Sequence, residues 1–370
     1  MGIFSTITKP TLLLDEAKGR KNLLEMVEKA KKQNIKFRPH FKTHQSAEIG
    51  EWFREAGIRS ITVSSVEMAQ YFAMNGWEDI LIAFPVNIRE IEAIVQLSSQ
   101  IHLSLLVESV EVVEKLAKHL RKMVDIWIKI NVGNDRSGIH YQDSEAIIQL
   151  VQTINLFGVL QFQGLLTHAG QTYKATSVHE VERIHHQSVS RLQDLVSLLA
   201  QNRISPVKIS VGDTPSARLV PLWGLVDEVR PGNFLFFDMQ QAQKNVCTLE
   251  EIAVCLMAPV IAVYPERNEA VIYGGAIHLS KDSYQDGENL MSYGLVVRMT
   301  ASGWDVEKPL GWLRSLSQEH GVIHFFDSSP VEIKAGDLVG VLPAHSCLTV
   351  QAMRYFLNQD GERIDTLLSV

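Results

Sequence analysis

The sequence predicts an α/β protein, a (β/α)8 TIM barrel followed by a mainly-β C-terminal domain. Three observations carry this expectation. The first 240 residues alternate short apolar or β-branched runs with longer segments of helical spacing. Eight such runs suit a closed barrel better than an open doubly wound sheet, and no G-x-G-x-x-G follows the first of them. After about Gln243 the helical periodicity gives way to short strand-like runs broken by Gly, Pro and Asp.

Taken in order, Met1–Leu14 reads as a strand that can pack with either domain. The barrel strands are expected at Ile35–Pro39, Ser60–Val63, Ile80–Ala83, Leu103–Val107, Asp125–Asn131, Phe162–Leu166, Val207–Val211 and Glu228–Pro231. Between them lie amphipathic stripes such as Leu23, Met26, Val27 and Ala30, or Leu192, Leu195, Val196 and Leu199. The later strands are expected at Val254–Ala262, Glu269–Tyr273, Gly294–Val297, Val322–Phe326 and Asp337–Leu342. The barrel domain therefore spans 15–243 and the β domain 244–370, with 1–14 open to inclusion in the latter.

Composition narrows the class of function. Hydrophobic residues at 46% and charged residues at 21% allow a sizeable core, and a net charge of −7 argues against a nucleic-acid partner. Three cysteines, Cys247, Cys255 and Cys347, fit a reducing compartment better than a disulfide framework. The N-terminus lacks the pattern of a signal peptide, and no apolar run approaches the ~20 residues of a membrane span. Gly2 and Thr6 match a myristoylation pattern too short to carry weight. The expectation is a cytoplasmic protein with no membrane partner.

In such barrels chemistry sits at the C-terminal ends of the strands. Five strand ends carry polar clusters, most of them with glycine: 38–44, 131–138, 167–173, 210–216 and 230–234. Lys42, in the first, can become a nucleophilic amine if desolvated and surrounded by cations; a solvated surface lysine, the fate of most lysines, is the alternative. Gly212, Asp213 and Thr214, with Gly232 and Asn233, have the make-up of a phosphate cradle after strands seven and eight, or of two ordinary turns. Arg136 can present a rigid fork of donors to a cofactor or carboxylate, or simply begin a helix at the surface. His345 and Cys347, read as extended, would face one side and offer zinc an imidazole and a thiolate; a buried thiol beside a loop histidine is the alternative. His179, His185 and His186 read as a solvated helix face.

These segments resemble a known family. Arg38-Pro-His-Phe-Lys-Thr-His44 is similar to the element around the cofactor lysine of the D-serine dehydratase and D-threonine aldolase family, fold-type III enzymes related to alanine racemase. Pro10–Asp15, Gly164–Gly170 with Tyr173, Ser210–Pro215, Arg230–Phe234 and His345-Ser-Cys347 follow in the family's order. The resemblance implies pyridoxal 5'-phosphate held by Lys42 as a Schiff base. It further implies cofactor contacts from Arg136, His168, Tyr173, Gly212, Asp213, Thr214, Gly232 and Asn233, and a divalent metal, zinc first, at His345 and Cys347. A homodimer is implied as well.

The implied activity is metal-assisted β-elimination of a 3-hydroxy D-amino acid to a 2-oxo acid and ammonia. Retro-aldol cleavage to glycine and an aldehyde is the alternative, and aldolase members carry Asp where this chain has Cys347. A racemase or a non-catalytic cofactor-binding protein stands third. Gly274-Gly-Ala-Ile-His278 lacks the Gly-Ser-Lys continuation of closer members, which leaves the substrate open.

Overall fold

The structure is a computed structural model and describes residues 7–285, 290–301, 303–326 and 333–368; Gly2 and Thr6 lie outside them. The chain forms two compact units, one of residues 25–232 and one of residues 1–24 with 233–370. The stretch 233–243 and the N-terminal strand thus belong with the β-rich unit.

The chain opens with β1 (Thr11–Leu14) and α1 (Glu16–Gln33). The barrel unit then runs β2 (Lys36–Phe37), α2 (Ala47–Glu55), β3 (Ser60–Val63), α3 (Val66–Met74), β4 (Asp79–Pro85) and α4 (Ile91–Ser98). It continues with β5 (His102–Val107), α5 (Val110–His119), β6 (Val124–Asn131), β7 (Ile139–His140), α6 (Ser144–Asn155) and β8 (Leu160–Leu166). It ends with α7 (Val178–Gln201), β9 (Lys208–Val211), α8 (Thr214–Leu219) and β10 (Glu228–Val229).

The parallel sheet has the order β2-β10-β9-β8-β6-β5-β4-β3, with β7 attached to β6. All eight expected runs are strands of it. The ring closes where His40 bridges Thr62: Phe41 N donates to Thr62 O, and Thr62 N to Pro39 O, both at 2.9 Å. Rotation from strand to helix is set by side-chain caps. Ser46, Ser65, Ser109 and Ser177 each accept from a backbone N–H of the first turn, of α2, α3, α5 and α7 respectively.

Inside the barrel, apolar strand residues share the space with a buried ion network. Arg38 Nε donates to Glu228 Oε2 at 2.7 Å and Arg38 Nη1 to Asp79 Oδ1 at 2.7 Å. The guanidinium's two carboxylates outweigh its burial and raise its pKa, and Arg38 in turn holds Glu228 below the usual carboxylate range despite burial.

His185 departs from the reading of its stretch as a solvated face. It lies one turn after Val181 on the buried stripe of α7, and its Nε2 bonds Trp223 O at 3.0 Å.

The β-rich unit holds α9 (Met239–Ala242), β11 (Val254–Tyr264), β12 (Glu269–Tyr273), α10 (Ala276–Leu279), the hairpin β13 (Tyr284–Gln285) and β14 (Met291–Ser292), and β15 (Gly294–Thr300). It is completed by β16 (Gly303–Asp305), β17 (Gly311–Leu316), β18 (His320–Phe325), β19 (Leu338–Pro343), α11 (Ser346–Met353), β20 (Tyr355–Asn358) and β21 (Arg363–Asp365). Its sheet runs β12-β18-β17-β15-β19-β11-β1-β20-β21, and β12 pairs β11 as well. The N-terminal β1 is antiparallel to β11, which fixes the entry segment in this sheet.

Candidate active site

The loop after β2 is built on an aromatic cluster. Phe41 packs against Phe53, Phe72 and Trp77 with ring centroids 4.7, 4.9 and 5.0 Å away, and His44 stacks on Phe53 at 5.4 Å. Burial drives the His44 pKa down to about 3, and its Nδ1 accepts from Ser46 N at 3.1 Å. His44 is therefore a neutral support for the loop. Between these anchors Lys42 projects its side chain to the surface. Lys42 is exposed, because its flanking residues, and not the lysine, fill the hydrophobic space.

Lys42 nevertheless stands among cations. It and Arg230 both depress His40, and Lys42, Lys129 and Arg136 all depress His168, although burial is the largest influence on each ring. Both histidines are held well below their ordinary value and stay neutral. Lys129, on β6, was not singled out by the sequence. Burial, with Arg230 and Arg136 nearby, lowers its pKa to about 7. Its alternation with Trp127 and Asn131 along one strand was the available signal. Arg230 is buried, donates to Ser210 Oγ at 2.7 Å and Thr167 O at 2.6 Å, and burial lowers its pKa to about 10.

Arg136 is exposed on a loop organised by Asn131, another residue the sequence reading passed over. Asn131 Oδ1 accepts from Gly133 N at 2.9 Å and Asp135 N at 3.1 Å. Gly138 closes the turn at φ +106°, where a Cβ would lie 2.7 Å from Asn131 N. Lys129, Arg136 and His168 line one small pocket.

The loop after β9 meets the same region. His168 Nδ1 forms a short hydrogen bond with Gly212 O. Tyr173, its ring 5.8 Å from that of His168, accepts from Thr214 N through its hydroxyl at 3.1 Å. Thr214 Oγ1 is buried and has no partner among the described residues. Asp213 turns inward: its Oδ1 accepts from Ser216 N at 2.8 Å and Thr172 Oγ1 at 2.9 Å, so it shapes the loop. Burial raises its pKa. Gly232 is required by packing, since a Cβ would stand 2.8 Å from His40 O.

Asn233 belongs to the other unit, and its side chain is engaged there. Its Nδ2 donates to Asp238 Oδ2 at 2.7 Å and Ser346 Oγ at 3.0 Å, and lies 3.7 Å from Cys347 Sγ. Its side-chain amide is thus engaged with Asp238 and Ser346. His345 and Cys347 also differ from the extended reading. His345 is extended at φ −137°, ψ 110°, but it caps α11, and Cys347 lies in that helix's first turn. They meet all the same, because the helix brings the second residue back towards the cap. Burial opposes the His345 imidazolium, but Cys347, with Asp238, raises its pKa to about 11. Among the described residues, no group of three or more His, Cys, Asp and Glu is placed to hold a metal. Cys247 and Cys255 are buried thiols, and burial pushes Cys255 up to about 12. No helix among the described residues is long and apolar enough to cross a membrane.

Comparison with known proteins agrees with this architecture. The chain is 27% identical over 396 residues to D-serine dehydratase of Dictyostelium discoideum, covering 98% of this chain and 96% of that protein. The solved D-threo-3-hydroxyaspartate dehydratase from Delftia sp. HT23 superposes with a TM-score of 0.90 at 25% identity, covering 99% of both chains. A cysteine-to-alanine mutant of that enzyme, described as its metal-free form, superposes at 0.89 with 25% identity and 98% of both chains covered. A family model for the alanine racemase N-terminal domain matches residues 14–240, and a serine dehydratase domain model matches 253–358. The chain belongs to the alanine racemase N-terminal domain family, in the group that pairs that barrel with a serine dehydratase domain.

Proposed function

We propose that this chain is a pyridoxal-phosphate lyase that dehydrates a 3-hydroxy D-amino acid to a 2-oxo acid and ammonia. The observation that carries this reading is the cationic ring of Lys42, Lys129, Arg136 and Arg230 around two histidines held neutral, beside the orphaned Thr214 hydroxyl. Such a set suits an anionic aldehyde cofactor: Lys42 Nζ to join its aldehyde carbon, Gly212–Thr214 and Gly232 to receive its phosphate, Arg136 and His168 to border its ring. His345 and Cys347 suit a divalent metal of borderline softness, and two protein ligands leave positions for water and substrate.

Bound there, the cofactor would supply an electron sink for charge at Cα and the metal would supply Lewis acidity toward a β-hydroxyl. The chain's own part is proton traffic and positioning. Lys42 Nζ would serve as the base that takes the α-proton. His168 keeps its Nδ1 proton on Gly212 O and so presents a neutral ring. Tyr173 orders the Thr214 amide. Asp238 holds His345.

The dehydratases among the relatives support the elimination reading, and one solved mutant, a cysteine-to-alanine variant described as being in the metal-free form, supports a metal. On the same reading the protein is a homodimer that holds zinc and lies in the cytoplasm, where three buried cysteines outside any disulfide fit a reducing compartment. A panel of 3-hydroxy D-amino acids, with and without chelator, tests the proposal. Chelator-sensitive ammonia and 2-oxo acid are expected; glycine with an aldehyde would instead mean retro-aldol cleavage.

A further inference from the structure

We propose that Asp238 is the positioning residue of the metal centre: it holds His345 by Nδ1, leaving Nε2 to the cation, and it sets Cys347 beside that ring through Asn233 and Ser346. This inference rests on the metal reading of His345 and Cys347.

Asp238 is fully buried and its two oxygens divide the work. Oδ1 caps α9 by accepting from Gln241 N at 3.0 Å. Oδ2 accepts from Asn233 Nδ2 at 2.7 Å, Ser346 N at 3.0 Å and His345 Nδ1 at 3.1 Å, with Ser346 Oγ at 3.4 Å. A helix cap needs only the first oxygen, and Ser, Thr or Asn would supply it. The second gathers Asn233, five residues back, and His345 and Ser346, over a hundred residues on, around the two candidate ligands.

An imidazole that donates from Nδ1 carries its available lone pair on Nε2. A carboxylate behind a ligating histidine fixes the tautomer and the ring's orientation in this way. Asn233 extends the arrangement, its Nδ2 lying 3.7 Å from Cys347 Sγ, where an N–H stabilises thiolate over thiol. Asparagine cannot replace Asp238, because its amide would face either Gln241 N–H or the three donors at Oδ2. Serine can keep the cap but cannot reach His345.

Asp238→Ser separates the two roles. Purified cofactor-free protein, stripped of metal, is titrated with Co2+ while the sulfur-to-cobalt charge-transfer band is followed, and the melting temperature of each metal-free protein is measured. Relative to the unmodified chain, the variant is expected to raise the Co2+ Kd by roughly 10–100-fold while still melting as a folded protein, at a temperature lowered by the buried donors left without Oδ2. A Kd within twofold would overturn the proposal. The unmodified, zinc-loaded protein with 15N-labelled histidine gives a readout independent of the variant's folding: His345 is expected protonated at Nδ1 and metal-bound at Nε2, and metal on Nδ1 would overturn the assignment. If the unmodified chain shows no cobalt–thiolate band, or His345→Ala binds Co2+ as tightly as it does, the metal reading itself fails together with this inference.

Discussion

Lys129→Met should change the pH dependence of stability in a direction the barrel interior dictates. Burial beside Arg230 and Arg136 takes the Lys129 amine from its usual 10.5 to about 7. Each pKa unit is worth about 1.4 kcal/mol, so keeping the ammonium in the folded barrel costs about 5 kcal/mol when fully expressed. Between pH 7 and 10.5 the unfolded chain binds more protons at this site than the folded one, so stability rises with pH there. The cost is complete below about pH 7 and gone above the unfolded pKa. Linkage puts it at about 5 kcal/mol at pH 6, about 3 at pH 8 and about 1 at pH 10. The methionine variant of the cofactor-free protein should therefore gain on the unmodified chain by about 4 kcal/mol more at pH 6 than at pH 10. Urea unfolding at each pH measures this, and any change in packing around the new side chain shifts all values together. A stability difference constant across the range would refute the argument.

Other outcomes follow from the same physics. Glu228→Gln leaves Arg38 buried without one of its two carboxylate partners and should cost roughly 3–5 kcal/mol at neutral pH. Because the folded Glu228 pKa is lowered, that loss should be present above the ordinary carboxylate pKa and vanish as acid protonates the unmodified chain, which thermal melts at pH 7 and in acid can follow. Thr214→Val removes an orphaned donor and should weaken pyridoxal phosphate binding by about 10–100-fold, read by titrating the cofactor-free protein. His44→Ala should lower the melting temperature near neutral pH by removing the aromatic stacking and the Ser46 hydrogen bond; because the folded ring stays neutral down to about pH 3 while the unfolded chain takes up that proton near 6.5, the deficit should shrink as pH falls from 6.5 towards 3.

The barrel was legible because its strands are buried runs separated by capped amphipathic helices, and each periodicity is local. Lys42 and the His345–Cys347 pair were legible through neighbours in the chain. What escaped depended on partners distant in sequence. Lys129 sits in a strand pattern that resembles any other; only Arg230, 101 positions on, and Arg136 make it unusual. Asp238 went unread because the residues that make it notable, His345 and Ser346, come to it from more than a hundred positions away. Asn233 was assigned by its neighbour Gly232, yet its side chain answers to Asp238. The short strands Gly311–Leu316 and Tyr355–Asn358 went unread because pairing, not their own composition, makes them strands.

The central claim is that one amine, Lys42 Nζ, covalently holds the cofactor. Incubating the protein with pyridoxal phosphate, reducing with borohydride and mapping the modified peptide by mass spectrometry tests it directly. The label is expected on Lys42 alone, and Lys42→Ala should lose the bound yellow chromophore while still folding. Label on Lys129 or another lysine, or colour surviving in the Lys42 variant, would contradict the account.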